Sequence, residues 1–139
     1  MGYGGIFYEK WFQGKWEPRQ QLGQPEISIA WQEFFAIVVA CHVWGKFLQN
    51  KRIIFNCDNE SVVNIINSKR SRISRVMDLF RHLTLLTLKY NIYIRAKRIP
   101  AKCNETADSI SRFQFQWFRL LAPEADVTPY ERPDLLLQI

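Results

Sequence analysis

The chain has 139 residues, of which 47% are hydrophobic and 23% are charged. This composition is ordinary for a globular protein and excludes an intrinsically disordered chain, and the length corresponds to about one domain. The three cysteines include no C-x-x-C pair, so they indicate neither a disulfide framework nor a zinc site. They favour a reducing compartment, and we therefore expect an intracellular protein, cytoplasmic or nuclear.

The net charge of +6 is concentrated in the middle of the chain. Residues 69–102 hold ten Lys and Arg residues against one acid, Asp78, which gives a local charge of +9. Residues 1–68 are balanced, with six basic and six acidic residues, and residues 103–139 carry three basic and six acidic residues. A basic block of this kind favours a polyanionic partner such as a nucleic acid.

The first part of the chain predicts a hairpin followed by a long helix. Residues 4–18 read as two strands around a turn at Gln13 and Gly14. Residues 18–27 contain two prolines and a glycine and are typical of a loop. Ser28 can then act as the N-cap of an apolar helix over residues 29–48.

That apolar helix does not predict a membrane span. It contains Gln32, Glu33, His42 and Lys46, and a charged side chain at bilayer depth costs roughly 2.5–3.5 kcal/mol. We therefore expect a helix buried on most of its sides, and no membrane partner.

The second part of the chain alternates strands with helices. The predicted elements are a strand over residues 51–57, helices over 59–67 and 73–91, a strand over 92–99 and a helix over 105–121, with a basic loop at 68–72. Strands separated by helices imply parallel pairing covered by helices. Residues 1–122 are thus predicted to form one domain, and residues 123–139 an acidic C-terminal tail or linker.

Three acidic residues lie near the ends of predicted elements. Glu33 interrupts the apolar helix, Asp58 follows the strand over residues 51–57, and Asp108 lies in the first turns of the last helix. Each has an ordinary explanation, because acids are favoured near helix N-termini and Asp58 can be the N-cap of the next helix. Carboxylates without His or Cys partners also suit Mg²⁺ or Mn²⁺, and a pair of such ions can cleave a phosphodiester.

Four stretches of sequence carry a family resemblance. GYGG before a hairpin, QE inside an apolar helix, a strand ending in CDN, and NETADSISR resemble, in this order, the ribonuclease H-like fold. More narrowly, the chain is similar to the ribonuclease H domain that follows the reverse transcriptase in retroelements, particularly the DIRS-type, tyrosine-recombinase group. The resemblance covers about residues 2–120.

The resemblance implies an α/β fold with a mixed central sheet, made of antiparallel hairpin strands and parallel strands and flanked by helices. It implies an active site of four acids that binds two Mg²⁺ or Mn²⁺ ions, with Glu33, Asp58 and Asp108 as catalytic residues and metal ligands. Its implied partners are an RNA–DNA hybrid and the reverse transcriptase domain of the same polyprotein, without a small-molecule cofactor.

The family's first aspartate has no counterpart here. It lies on the first strand, several residues before the GYGG-like stretch, whereas no acid precedes Glu9 in this sequence. The resemblance therefore implies a domain truncated before the first catalytic Asp, with an incomplete first strand and a weakened two-metal site. Residues 99–102 also lack the histidine that many cellular members carry before the last aspartate.

Several residues are candidates for contact with nucleic acid. A basic run is most often a solvated face, but ten basic residues against one acid favour phosphate contacts. Asn59 can cap a helix or reach a ribose 2′-hydroxyl, the group that distinguishes RNA from DNA. The candidates are Asn59, Lys69, Arg70, Arg72, Arg75, Lys97, Arg98 and Lys102.

The sequence leaves three hypotheses for function. The first is a metal-dependent ribonuclease H-type endonuclease that cuts the RNA strand of RNA–DNA hybrids. The second is a catalytically inactive ribonuclease H-like module that binds nucleic acid or packs against a polymerase. The third is a structural interaction domain whose basic face has no nucleic-acid role.

Overall fold

The computed structural model describes residues 2–132 and Leu136, which form a mixed α/β structure. In chain order the elements are β1 (Gly2–Phe7), β2 (Lys10–Lys15), α1 (Ile29–Leu48), β3 (Arg52–Cys57), α2 (Glu60–Ser68), α3 (Ser74–Tyr90), β4 (Tyr93–Arg98), α4 (Glu105–Ser111) and α5 (Phe115–Leu121). Two short 3₁₀ helices, Pro18–Gln20 and Ala101–Asn104, precede α1 and α4.

The hairpin is confirmed, but its predicted turn is wrong. β1 and β2 are antiparallel and turn at Tyr8 and Glu9, where Tyr8 has a φ of 55°. Gly14 lies inside β2, because the Tyr3 ring packs over it: a Cβ at Gly14 would lie 2.1 Å from Tyr3 Cζ. The glycine that suggested a turn therefore serves a close contact between two strands.

Helix α1 is the central element of the fold, and its predicted bounds are confirmed. The Ser28 hydroxyl accepts a hydrogen bond from the Trp31 N–H at 3.1 Å, as an N-cap does. Eleven of its twenty residues are buried. In the part of the chain that the structure describes, no helix has both the length and the apolar character needed to cross a membrane.

The parallel pairing predicted for the second half is also confirmed. β3 and β4 are parallel over their whole length, from Arg52 beside Tyr93 to Cys57 beside Arg98. Helices α2 and α3 connect them, and the buried side chains Val76, Leu79 and Leu83 of α3 join the main core.

Two separate sheets are present where a single mixed sheet was expected. One consists of β1 and β2, the other of β3 and β4, and in the described residues no ladder connects β1 to β3. Both sheets contact α1, so one hydrophobic core still spans them. What is established is the α/β class, with helices, one antiparallel pair and one parallel pair.

The predicted last helix is two helices. α4 ends at Ser111, and the chain turns through Phe113, whose φ of 58° interrupts the helical backbone, before α5 begins.

The following segment is docked rather than loose as far as Arg132. The Asp126 N–H donates to the Glu9 carbonyl and the Tyr130 N–H to the Trp11 carbonyl, both at 2.8 Å. The Tyr130 bond satisfies an acceptor on the outer edge of β2 and the Asp126 bond one at the hairpin turn, so together they hold this segment against the hairpin. The domain boundary at residue 122 stays a prediction, and residues 133–135 and 137–139 of the predicted tail lie outside the described residues.

The N-cap of α2 is Asn59 and not Asp58. The Asn59 Oδ1 accepts a hydrogen bond from the Val62 N–H at 3.2 Å. Because the cap position is already filled, the Asp58 carboxylate has no capping role to explain it.

Replacing Asn59 and Asp58 one at a time tests the assignment of the cap. We expect Asn59→Ala to lower the free energy of unfolding by about 1 kcal/mol, because an N–H at the start of α2 loses its acceptor. Asp58→Ala, the matched control, should lower it by less than about half that amount. Urea denaturation followed by circular dichroism measures both, and a larger loss for Asp58→Ala would contradict the assignment.

Candidate catalytic and nucleic-acid-binding site

Three elements bring the predicted carboxylates towards one end of the β3–β4 sheet. Asp58 directly follows β3, Glu33 lies in the second turn of α1, and Asp108 lies on α4. The charges of Asp58 and Asp108 both act on the Glu33 carboxyl, which places the three groups within electrostatic reach of one another. Ligand and catalytic groups commonly collect at the carboxyl ends of parallel strands.

The Glu33 carboxyl group is strongly perturbed by its surroundings. Burial, followed by the negative charges of Asp58 and Asp108, raises the pKa of Glu33 to about 7. The buried thiol of Cys57 responds to the same environment: burial, followed by the charges of Glu33 and Asp58, raises its pKa to about 12. The site therefore disfavours additional negative charge and would favour a cation.

Asp58 and Asp108 have different neighbours. The Asn104 amide nitrogen lies 3.4 Å from the Asp58 Oδ2 and donates to it. Asp108 forms an ion pair with Arg112, one turn along α4, at 2.9 Å between Oδ2 and Nε. Both groups of this ion pair are largely exposed, so it is a weak restraint on Asp108.

The donor chemistry of the site fits a hard divalent cation, since all three side chains offer carboxylate oxygens. The three carboxylates do not form a complete set of ligands around one position. Within residues 2–132 and Leu136, no three His, Cys, Asp or Glu side chains lie close enough together to hold one metal ion. The carboxylates lie in one region, but they do not converge on a single metal position.

Part of the basic block borders this region. Lys97 and Arg98 end β4 beside Asn56 and Cys57, and Lys102 lies in the 3₁₀ helix that leads to Asn104. All three basic side chains are exposed, and none forms an ion pair with a described residue. They therefore offer positive charge near the end of β3, which Asp58 follows.

The rest of the basic block lies elsewhere. Lys69 follows α2 and has its Nζ 5.9 Å from the Tyr93 ring centroid, at the start of β4. A strand of six residues is about 17 Å long, so Lys69 is near the opposite end of the sheet from Asp58. Arg70 and Arg72 lie in the same exposed loop as Lys69.

Sequence reasoning missed an aromatic residue at that far end. The guanidinium carbons of Arg52 and Arg95 each lie 5.8 Å from the Tyr93 ring centroid, and Tyr93 is 47% exposed. The alternation of exposed residues along β4 was visible in the sequence. The grouping of Arg52 with Arg95 depends on the β3–β4 register, which the sequence alone does not supply.

Arg75 already makes contacts within the protein. Its guanidinium lies 5.1 Å from the Trp31 ring centroid and donates to the Pro25 carbonyl at 3.3 Å, while its backbone N–H donates to Glu26. It joins α3 to the loop before α1, so a phosphate contact would compete with these interactions.

Comparisons with known proteins add no family assignment. No protein-family model matches the chain, and no curated protein sequence matches it. Function is therefore argued from the site itself.

The raised pKa of Glu33 predicts a decrease in stability as pH rises. The folded state holds a proton that the unfolded state has released between pH 4.5 and 7, so unfolding becomes easier across that interval. We expect the free energy of unfolding to fall by up to about 3 kcal/mol relative to the Glu33→Gln variant, from about 1.4 kcal/mol per pKa unit.

Urea denaturation at a series of pH values compares the wild type with Glu33→Gln, and with Glu124→Gln, which changes an exposed acid outside the site. Parallel pH profiles for the wild type and Glu33→Gln would contradict the burial of an acid at this position.

Proposed function

We propose that this chain is a ribonuclease H-type domain that hydrolyses the RNA strand of RNA–DNA hybrids with Mg²⁺ or Mn²⁺, as part of a retroelement reverse transcriptase. The observation that carries the proposal is the convergence of Glu33, Asp58 and Asp108 at the carboxyl end of a parallel strand pair. Three separate segments of sequence supply these acids, and none of the three is the N-cap of its helix.

In this proposal each carboxylate binds the cation and is positioned by its own element. Glu33 is fixed by the buried helix α1, and Asp58 is oriented by the Asn104 amide. Asp108 would exchange its exposed Arg112 partner for the metal. Divalent ions, when bound, supply an activated water and neutralise charge on the leaving oxygen.

The substrate class follows from the free cations beside the acids. Lys97, Arg98 and Lys102 can bind phosphates on either side of the scissile bond, whereas Lys69 with Tyr93 could hold a more distant part of the duplex. Asn59 uses Oδ1 as the cap of α2, and its Nδ2 donates to no described residue. That amide nitrogen can donate to a ribose 2′-hydroxyl and so favour an RNA strand.

The second candidate function is a catalytically inactive module that binds nucleic acid. It is favoured by one specific observation, namely that the described carboxylates form no group able to hold a single metal ion. The free basic side chains are compatible with either function. Cleavage and binding must therefore be measured separately.

Hydrolysis is tested with a hybrid labelled on its RNA strand, in Mg²⁺ and in Mn²⁺. We expect metal-dependent cleavage that falls at least about 100-fold in Glu33→Gln and in Asp58→Asn, because each variant loses an anionic ligand. Asp78→Asn is the matched control, since Asp78 is an exposed acid of α3 that pairs with Arg81. Equal rates in the wild type and Asp58→Asn would overturn the site, and tight hybrid binding without cleavage would favour the inactive module.

The salt dependence of hybrid binding tests the basic residues. We expect the double variant Lys97→Gln, Arg98→Gln to reduce the slope of log affinity against log salt by about 1 for each lost phosphate contact. A second pair at the far end of the sheet, Lys69→Gln with Arg95→Gln, should change the slope less. Binding of the wild type that is indifferent to salt would contradict phosphate contact altogether.

A further inference from the structure

One face of the β3–β4 sheet is open to solvent. Side chains alternate between the two faces of a strand, and Ile94 and Ala96 of β4 are buried in the core on one of them. The even-numbered residues of β3 and the odd-numbered residues of β4 lie on the other face and are exposed. This exposed set, which we call the basic face, consists of Arg52, Ile54, Asn56, Tyr93, Arg95 and Lys97.

The strand register arranges the basic face in three rows of two residues. The rows are Arg52 beside Tyr93, Ile54 beside Arg95, and Asn56 beside Lys97. Residues on one face of a strand repeat about every 6.6 Å, so neighbouring rows are separated by that distance. Each row contributes one cation, and the positive charges therefore follow one another along the face.

The basic face contains no acid. Neither of its two strands includes Asp or Glu, and within the described residues no ion pair involves Arg52, Arg95 or Lys97. Exposed cations are common on the surface of a sheet, but like charges on neighbouring positions repel one another. A bound polyanion would relieve that repulsion, so the face is complementary to one.

Tyr93 lies among the positive charges and remains accessible. The guanidinium carbons of Arg52 and Arg95 lie 5.8 Å from its ring centroid, and the Lys69 Nζ lies 5.9 Å from it. These distances are close to the limit of about 6 Å for cation–π attraction, and Tyr93 is still 47% exposed. The ring is thus held between cations without being covered by them.

The exposed ring favours a single strand over a duplex. In a duplex the bases stack on one another, and a protein reaches mainly phosphates, sugars and groove edges. In a single strand the unpaired bases can stack on an aromatic side chain while cations contact the phosphates. An exposed tyrosine on a flat sheet, with cations on the same face, supplies both kinds of contact.

The basic face stays open however the sheet continues beyond β3. Arg52, Ile54 and Asn56 also line a groove above α1, between the inner edges of β1 and β3, which face each other. A further strand at the inner edge of β3 would lie beside β3, because strands of a sheet pair side by side. It would extend the sheet and leave the face exposed.

We propose that the basic face is a binding site for single-stranded nucleic acid, whether RNA or DNA. One unpaired base stacks on Tyr93, and Arg52 and Arg95 contact the phosphates on either side of it. Lys97 contacts a phosphate further along the strand, towards the end of β3. Such binding requires neither a metal ion nor the hydrolysis proposed above.

Binding of short oligonucleotides to the whole chain tests the proposal. The probes are labelled oligouridylate and oligothymidylate of about ten nucleotides, which is within the size range of single-strand sites. A blunt RNA–DNA hybrid of the same length is measured beside them, without divalent metal. We expect the two single strands to bind within about threefold of each other, because neither stacking nor phosphate contact needs the 2′-hydroxyl.

The same measurement separates this site from the proposed nuclease. A chain that binds the hybrid but neither single strand would overturn the basic face as a site and leave the proposed function standing. Single-strand binding by a chain that cleaves no hybrid in Mg²⁺ or Mn²⁺ would do the reverse. Binding of only one of the two single strands, or equally tight binding of an oligoglutamate, would also overturn the proposed mode of recognition.

Substitution of Tyr93 separates stacking from charge. We expect Tyr93→Leu to weaken single-strand binding at least about tenfold, and Tyr93→Phe, which keeps the ring, to weaken it less than about twofold. Trp117→Leu is the matched control, since Trp117 is 44% exposed but lies on α5 rather than on the sheet. Circular dichroism checks that each variant is folded, and equal affinity of the wild type and Tyr93→Leu would overturn the proposal.

The salt dependence of single-strand binding tests the cations. We expect Arg52→Gln combined with Arg95→Gln to reduce the slope of log affinity against log salt by about 0.7 for each lost phosphate contact. Lys46→Gln combined with Lys89→Gln is the control, because it removes the same charge from exposed positions of α1 and α3, the helices whose cores pack with the buried face. An equal change of slope in the two double variants would overturn phosphate contact at the basic face.

Discussion

The rest of the structure depends on the burial of α1. Its aromatic side chains contact the hairpin on one side, and its other faces contact α2, α3 and β3. Each large apolar side chain fully buried in this way contributes about 1.5–3 kcal/mol, and Trp31, Phe34 and Phe35 are completely buried. Because no ladder joins the two sheets among the described residues, α1 is what holds them in one core.

The same helix creates the electrostatic cost at the candidate site. Glu33 is carried into a partly buried position by the packing of the apolar residues around it, and its charged form is then poorly solvated. The nearby charges of Asp58 and Asp108 add repulsion. In the function proposed above, a bound cation would offset this cost.

The two sheets are alike in which of their edges form further hydrogen bonds. On the outer edge of β2 the Tyr130 N–H donates to the Trp11 carbonyl, and on the outer edge of β4 the Asn67 side chain pairs with Ala96. The inner edges are left open, and both face the groove above α1. Glu33 and Cys57 also line this groove, so it opens onto the candidate site.

Elements with a strong local signal could be read from the sequence. The bounds of α1 and its Ser28 cap, the parallel strands β3 and β4, and the helices between them follow from hydrophobic spacing and capping. Local sequence patterns gave wrong predictions where the structure is set by other contacts or by the local backbone. Gly14 suggested a turn but lies under Tyr3, and the last helix is interrupted at Phe113.

By itself, the sequence determined the α/β class, the basic block and the three acids, because these depend on composition and on spacing over a few residues. Only the tertiary structure decided which groups meet. It placed Lys97 and Arg98 beside the end of β3 and Lys69 at the far end of the sheet, and it gave the N-cap of α2 to Asn59 rather than Asp58. It also left two strand edges unpaired across one groove. The physical reason is that register, strand pairing and edge protection come from hydrogen bonds between residues far apart in the chain, for which a local pattern carries no signal.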